Sequence, residues 1–117
     1  MDKANTNSKI ASLIDGYKRF NKKYFEGKGK TFSKLVKHGQ KPKALVIACC
    51  DSRADPAIIT DCNPGELFVV RNVANLVPPF EGDPYHHGTS AALEFGIKDL
   101  EIKDIIVLGH SHCGGIN

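Results

Sequence analysis

Three short apolar runs, Ala44–Cys50 (ALVIACC), Leu67–Val73 (LFVVRNV) and Asp104–His110 (DIIVLGH), leave few architectures open to this 117-residue chain. Each is short for a helix, and β-branched residues recur in all three. The first is bounded by Pro42 and by Asp51-Ser52-Arg53. A strand with one wet face alternates apolar and polar side chains, whereas a continuous apolar run predicts a strand covered on both faces, as in parallel sheets. Between the second and third runs, Thr89–Leu100 carries Ala91, Ala92, Phe95, Ile97 and Leu100 and predicts a helix. Between the first and second, Asp55–Thr60 predicts a short helix and Asn63-Pro64-Gly65 a turn. The order β-α-β-α-β implies an α/β fold, a parallel β-sheet core flanked by helices and joined by right-handed crossovers.

Residues 1–43 differ in character. Ile10, Leu13, Ile14, Tyr17, Phe20, Tyr24 and Phe25 fall at the i, i+3, i+4, i+7 spacing of one helix face over 8–25, with Asn7 or Ser8 as N-cap and Gly27 and Gly29 at the end. A second short helix is expected over 31–38, broken before Pro42. The chain therefore divides into an N-terminal amphipathic helical arm, 1–43, and an α/β core, 44–117. The arm holds 12 Lys/Arg against 3 Asp/Glu and the core 4 against 10, so the net charge of +3 conceals +9 and −6. Such a basic arm can touch nucleic acid, but lysines on the wet face of an amphipathic helix explain the charge more simply, with an acidic face of a partner subunit as its counterpart. No apolar run approaches the roughly 20 residues that span a bilayer, and MDKANTNSKI has no apolar signal region. The expectation is a cytoplasmic protein without nucleic-acid or membrane partners.

Cysteines stand at 49, 50, 62 and 113. Two of them end a strand-like run, where a cytosolic enzyme places ligands or nucleophiles rather than disulfides. Ligands of open α/β sheets bind beyond the carboxyl ends of the strands. Cys49 ends the first run and His110 the third, so neighbouring strands would set both on one crevice. His110-Ser111-His112-Cys113 offers an imidazole and a thiolate three residues apart, and Gly114 and Gly115 permit a tight turn. With Cys49 this makes a Cys₂His set suited to Zn²⁺, with a fourth position open as in catalytic sites. An isolated H-x-x-C binds no metal more often than it binds one; the strand-end cysteine and the Asp-Ser-Arg after it change that balance. Asp51 and Arg53 can form a bidentate pair beside the metal. The competing reading is a surface ion pair capping the following helix.

Cys-x-Asp-Ser-Arg over Cys49–Arg53, joined to His-x-x-Cys over His110–Cys113, resembles the signature of the β-class carbonic anhydrases. FVVRNVANLVPP (Phe68–Pro79) and GTSAALEF (Gly88–Phe95) are similar to that family too, to its plant-like branch in particular. The likeness runs from about Gly39 to Ile116. It implies zinc ligation by Cys49, His110 and Cys113 and a catalytic dyad of Asp51 and Arg53. It also implies a substrate side made by Gln40, Phe68, Val73, Phe95 and Gly114, with Phe95 standing where some members have tyrosine. The N-terminal helix fits the family's subunit-wrapping arm by type, which implies a homodimer or higher homo-oligomer. Some bacterial members close their site through a tryptophan in the first strand; this chain has none and places Val46 there. The form expected is therefore the open one, with Asp51 on Arg53 and water at the fourth zinc position.

The implied reaction is reversible hydration of carbon dioxide to bicarbonate and a proton. Rival readings are a carbon disulfide or carbonyl sulfide hydrolase on the same scaffold, and a non-catalytic module held by structural zinc. Family members continue well past H-x-x-C-G-G, so the 117 residues alone are expected to leave a sheet edge and a helix face uncovered and to be poorly soluble or weakly active. Cys50 reads as a core residue or one packed behind the ligands, Cys62 as a bystander, His86 and His87 as loop residues, His112 as outward-pointing and Arg71 as structural.

Overall fold

The computed structural model describes residues 3–26, 30–80 and 87–116. Its contacts divide the chain into two units, Met1–Gly39 and Gln40–Asn117. No helix among the described residues is long and apolar enough to cross a membrane.

The first unit contains α1 (Lys3–Asn21), a π-helical turn over Lys22–Glu26, and α2 (Thr31–His38). The helix begins upstream of the expected position, so Asn7 and Ser8 lie inside it rather than capping it. A capping side chain favours a helix start only where the chain before it is not helical, and here the helix runs through from Lys3. Aromatic rings close this unit. Phe32 of α2 lies 5.1 Å from Phe20, 5.4 Å from Tyr24 and 5.4 Å from Phe25 between centroids, stacked on the last. Ile10, Leu13, Ile14 and Tyr17, the rest of the apolar stripe, stay exposed.

The second unit is a three-stranded parallel sheet in the order β2-β1-β3, with β1 at Ala44–Cys49, β2 at Leu67–Asn72 and β3 at Ile105–Leu108. α3 (Pro56–Ile59) links β1 to β2. Asp55 caps it by accepting the Ala57 N–H at 3.0 Å, and Pro56 occupies its first turn. α4 (Gly88–Glu94) and a π-helical turn over Phe95–Asp99 link β2 to β3. Because β1 has a strand on each side, all six of its residues are buried. The expectation of strands covered on both faces holds for β1 but not for its neighbours. Only half-buried and exposed residues line β2, and Ile105, Ile106 and Val107 of the edge strand β3 are about half exposed. The physical reason is position: an edge strand has a single neighbour, and after β3 the described residues form only turns.

Leu45, Ile47 and Ile102 form the core, with Phe68, Val70, Leu93 and Leu100 against it. Gly96 closes this packing. A Cβ there would stand 2.6 Å from Leu45 Cδ1 and 3.4 Å from Phe68 Cδ2, and Leu45 is fully buried and has nowhere to move. Gly96→Ala is expected to cost about 1–3 kcal/mol through overpacking, read as a lower denaturation midpoint. An unchanged midpoint would show that the helix stands further off the sheet.

Candidate metal centre

The parallel pairing of β1 with β3 sets Ala48 opposite Leu108. Cys49 therefore leaves β1 on the same side of the sheet as Gly109 and His110 leave β3. His112 then adopts a left-handed conformation (φ 54°) and returns the chain, so that Cys113 is buried. The sequence pointed to Gly114 and Gly115 for this turn, but neither has a positive φ. Position 115 needs glycine for a different reason: a Cβ would lie 2.4 Å from Val73 Cγ1 and 3.1 Å from Ala74 Cβ.

The result is a buried cluster. Cys49 Sγ and Cys113 Sγ stand 3.8 Å apart, and one donor atom from each of Cys49, His110 and Cys113 lies within 4.8 Å of the others. The His110 ring is oriented by Nδ1, 2.8 Å from the Ser111 carbonyl. A carbonyl only accepts, so Nδ1 carries the hydrogen, and in the neutral ring Nε2 presents a lone pair. That Nε2 is buried and has no hydrogen-bond partner. An orphaned buried acceptor costs on the order of 1–3 kcal/mol, and a cation between it and two sulfurs removes the penalty. Two thiolates and one imidazole, with the other ring nitrogen fixed by a backbone carbonyl, are the donor set and support of a zinc site. When the ring is instead protonated, its Nε2–H beside the sulfur, followed by the N–H groups of Asp51 and Ala74, lowers the Cys49 thiol from 9.0 to about 6. The Cys49 sulfur in turn raises His110.

Asp51 borders the cluster with Oδ2 3.8 Å from His110 Nε2. Arg53 holds its carboxylate at both oxygens, Nε to Oδ1 at 3.0 Å and Nη2 to Oδ2 at 2.7 Å, and the Arg53 N–H adds a 2.8 Å bond to Oδ1. These bonds, the side-chain pair first, hold Asp51 far below the usual carboxylate range. Arg53 Nη2 also donates to the His112 carbonyl at 3.1 Å, tying the Asp-Ser-Arg turn to the H-x-x-C turn. The pairing is the one expected of an open site, with Asp51 on arginine.

Arg71, read from sequence as structural, has a specific task. From β2 it donates through Nε to the Cys49 carbonyl and through Nη2 to the Asp51 carbonyl, both at 2.8 Å, and meets Asp55 Oδ2 at 3.5 Å. Arg71→Met leaves both carbonyls without this donor. It is expected to lower stability by on the order of 2 kcal/mol and to weaken zinc binding about 10-fold. Denaturation and chelator competition check the two effects, and unchanged values in both would make the clamp idle.

The remaining expected residues scatter. Val73 and Gly114 flank the cluster in sequence and are exposed; Gln40 is exposed ahead of β1. Phe68 stands back from the cluster along β2, against the core, and Phe95 packs on it. Their rings lie 5.8 Å apart, and Phe68 pairs in register with Leu45, four residues before Cys49, about 13 Å along the strand. Cys50 is exposed rather than in the core, because it follows the last residue of β1 where the sheet ends; Cys62 accepts a 3.0 Å bond from Thr60 Oγ1, and His86 lies outside the described residues. Two contributors went unread. Ala74 donates its backbone N–H to Cys49 Sγ at 3.4 Å, and Asn72 braces the loop after β2 through Nδ2 to the Leu76 carbonyl (2.8 Å) and Oδ1 from the Leu76 N–H (2.7 Å). A backbone donor leaves no mark in a side-chain pattern; Asn72 was visible only as part of the resembling segment.

The family model described as carbonic anhydrase matches residues 44–117. The chain belongs to the carbonic anhydrase family. A carbonic anhydrase of Synechocystis sp. is 45% identical over 104 residues, covering 89% of this chain and 37% of the relative. The β carbonic anhydrase 5, chloroplastic, of Arabidopsis thaliana is 52% identical over 83 residues, covering 71% and 27%. Among solved structures, the β-carbonic anhydrase CcaA superposes with a TM-score of 0.82 at 45% identity, covering 92% of this chain and 47% of that one. These likenesses place the chain in the β class, with a plant protein among its relatives. The chain spans well under half the length of the curated relatives it matches.

Proposed function

We propose that this chain carries a zinc site for the reversible hydration of carbon dioxide to bicarbonate and a proton. One observation carries the reading: a buried imidazole nitrogen without a partner faces two buried cysteine sulfurs, beside a carboxylate locked to arginine. Members of this family are zinc enzymes, and Cys49, His110 and Cys113 are the residues that would hold the ion. When bound, zinc supplies a Lewis acid that brings the pKa of a water to near 7.

The chain's own residues supply the rest. Asp51, kept anionic by Arg53, accepts a hydrogen bond from a water at the mouth of the cluster and so orients an oxygen lone pair toward the substrate carbon. As the new C–O bond forms, one carbon–oxygen π pair moves onto oxygen. The products are bicarbonate and one proton, balancing carbon dioxide and water. Arg53 cannot take that proton, because a guanidinium is already protonated. Val73, exposed beside Ala74, and Gly114, next to Cys113, are the proposed substrate side in this chain, with Gln40 as a donor toward substrate oxygen. Phe68 and Phe95, whose rings lie 5.8 Å apart, are proposed as its apolar part.

A homo-oligomer fits the uncovered apolar surface, since Ile10, Leu13, Ile14, Ile105, Ile106 and Val107 are all exposed. A cytoplasmic setting fits four cysteines that are all free, two of which must be thiolates to serve a metal. Of the rival readings, structural zinc needs a fourth permanent protein ligand, and the nearest carboxylate, Asp51, is engaged by Arg53. The relatives named above are carbonic anhydrases, which does not favour carbon disulfide as substrate. The test is stopped-flow hydration of carbon dioxide by the zinc-loaded chain. Acceleration over free zinc in the same buffer is expected; carbon disulfide hydrolysis without carbon dioxide hydration would replace the reading.

A further inference from the structure

The loop after β2 contains an arrangement that the proposed chemistry does not use. Ala74 and Asn75 both adopt the left-handed conformation, with φ 71° and 45°. For alanine this costs on the order of 1–2 kcal/mol, because Cβ crowds the following carbonyl. The strain is localised where Ala74 is buried in one cluster with Cys49 and Cys113. What it achieves is an orientation: the Ala74 N–H is aimed at Cys49 Sγ, at 3.4 Å. The opposing wall is Gly115, two residues past Cys113. A side chain there would press on Val73 Cγ1 at 2.4 Å, on Ala74 Cβ at 3.1 Å and on the Ala74 nitrogen itself at 3.3 Å. The left-handed bend and the bare glycine are therefore two halves of one fitting, which brings a backbone donor to a sulfur.

We propose that the backbone amide of Ala74, admitted by the missing side chain at Gly115, is a positioning group that donates a hydrogen bond to the metal-binding sulfur of Cys49. The inference rests on the reading of Cys49 as a metal ligand and adds a residue to its surroundings. An N–H donated to a thiolate draws electron density from sulfur and fixes the direction of its remaining lone pairs. Outer partners of this kind change metal affinity by about 10- to 100-fold when they are removed. Gly115 acts through Ala74, whose nitrogen a Cβ at 115 would approach to 3.3 Å.

Cobalt(II) substituted for zinc gives the readout, because its sulfur-to-metal charge-transfer band reports how electron-rich the thiolates are. Two variants of the full chain remove the donor by different routes. Gly115→Ala pushes the Ala74 amide away, and an ester linkage in place of that amide (lactic acid for alanine at 74) deletes the N–H while leaving every side chain unchanged. The ester keeps the test open should Gly115→Ala not fold. Gly88→Ala, whose added methyl meets nothing within 4 Å, serves as the control.

The parent is expected to show the thiolate–cobalt band. In both variants the band is expected to move to longer wavelength, with zinc bound about 10-fold more weakly in chelator competition, and Gly88→Ala is expected to match the parent. A parent band that stays unshifted in the ester variant overturns the proposal and leaves the ligand reading standing. Absence of any thiolate–cobalt band in the parent overturns the ligand reading, and the proposal with it.

Discussion

Cys113→Ser is expected to leave the chain unable to retain zinc, taking it from one equivalent to none after exhaustive dialysis. Cys113 supplies one of two sulfurs 3.8 Å apart and is reached only because His112 turns the chain back through a left-handed conformation. Serine is nearly isosteric, so the turn and the packing against Ala74 survive, but its hydroxyl is neither ionised at neutral pH nor soft enough to replace a thiolate. What remains is one sulfur and one imidazole, two ligands where a catalytic zinc site has three. Structural zinc contributes directly to stability wherever binding and folding are coupled, so the variant should also lose the increase in melting temperature that zinc gives the parent. Metal analysis by mass spectrometry measures the first effect and a thermal melt with and without zinc the second. Full retention of zinc by the serine variant would remove Cys113 from the ligand set.

Asp51→Asn is expected to separate metal from chemistry. Asn keeps the size of the side chain and leaves Cys49, His110 and Cys113 untouched, so zinc content should match the parent. The amide carries no charge and is a weaker partner for Arg53, so neither the accepting oxygen nor its orientation is secured. Loss of the acceptor that orients the water costs positioning worth about 10²-fold, and a fall of about 100-fold in carbon dioxide hydration is expected. Asp51 is ionised across the whole working range because Arg53 holds it well below ordinary carboxylates. Its contribution is therefore independent of pH from mild acid upward, and the variant's loss should be uniform across that range. Rates equal to the parent's would show that the Asp51–Arg53 pair only joins the two turns, through Arg53 Nη2 and the His112 carbonyl.

The residues that make the cluster were legible for a simple reason: they sit at the ends of apolar runs, and the parallel order of those runs carries both ends to one side. The continuous ALVIAC pattern marked β1 as a strand covered on both faces, and its six buried residues agree. The Asp51–Arg53 pair is local, two residues apart, so its geometry follows from the sequence with little help from the fold. Tertiary effects were harder to read. Ile105, Ile106 and Val107 have the same apolar character as β1 yet are exposed, because burial depends on which neighbours a strand has. The turn at His112 uses a non-glycine left-handed residue, which only surrounding structure can enforce. Phe68 and Phe95 look alike in any site-based reading, but register with Leu45 assigns Phe68 to the core side. The Ala74 amide carried no signature, since every residue but proline has one.

The central claim is that Cys49, His110 and Cys113, from two adjacent strand ends, converge on one metal with a position to spare. Zinc K-edge X-ray absorption on the metal-loaded chain tests it most directly. Two sulfur scatterers near 2.3 Å and two nitrogen or oxygen scatterers near 2.0–2.1 Å, one of the latter removed in His110→Ala and the other exchangeable with added anion, are the expected result. A shell without sulfur, or four protein ligands that no added anion displaces, would contradict the account.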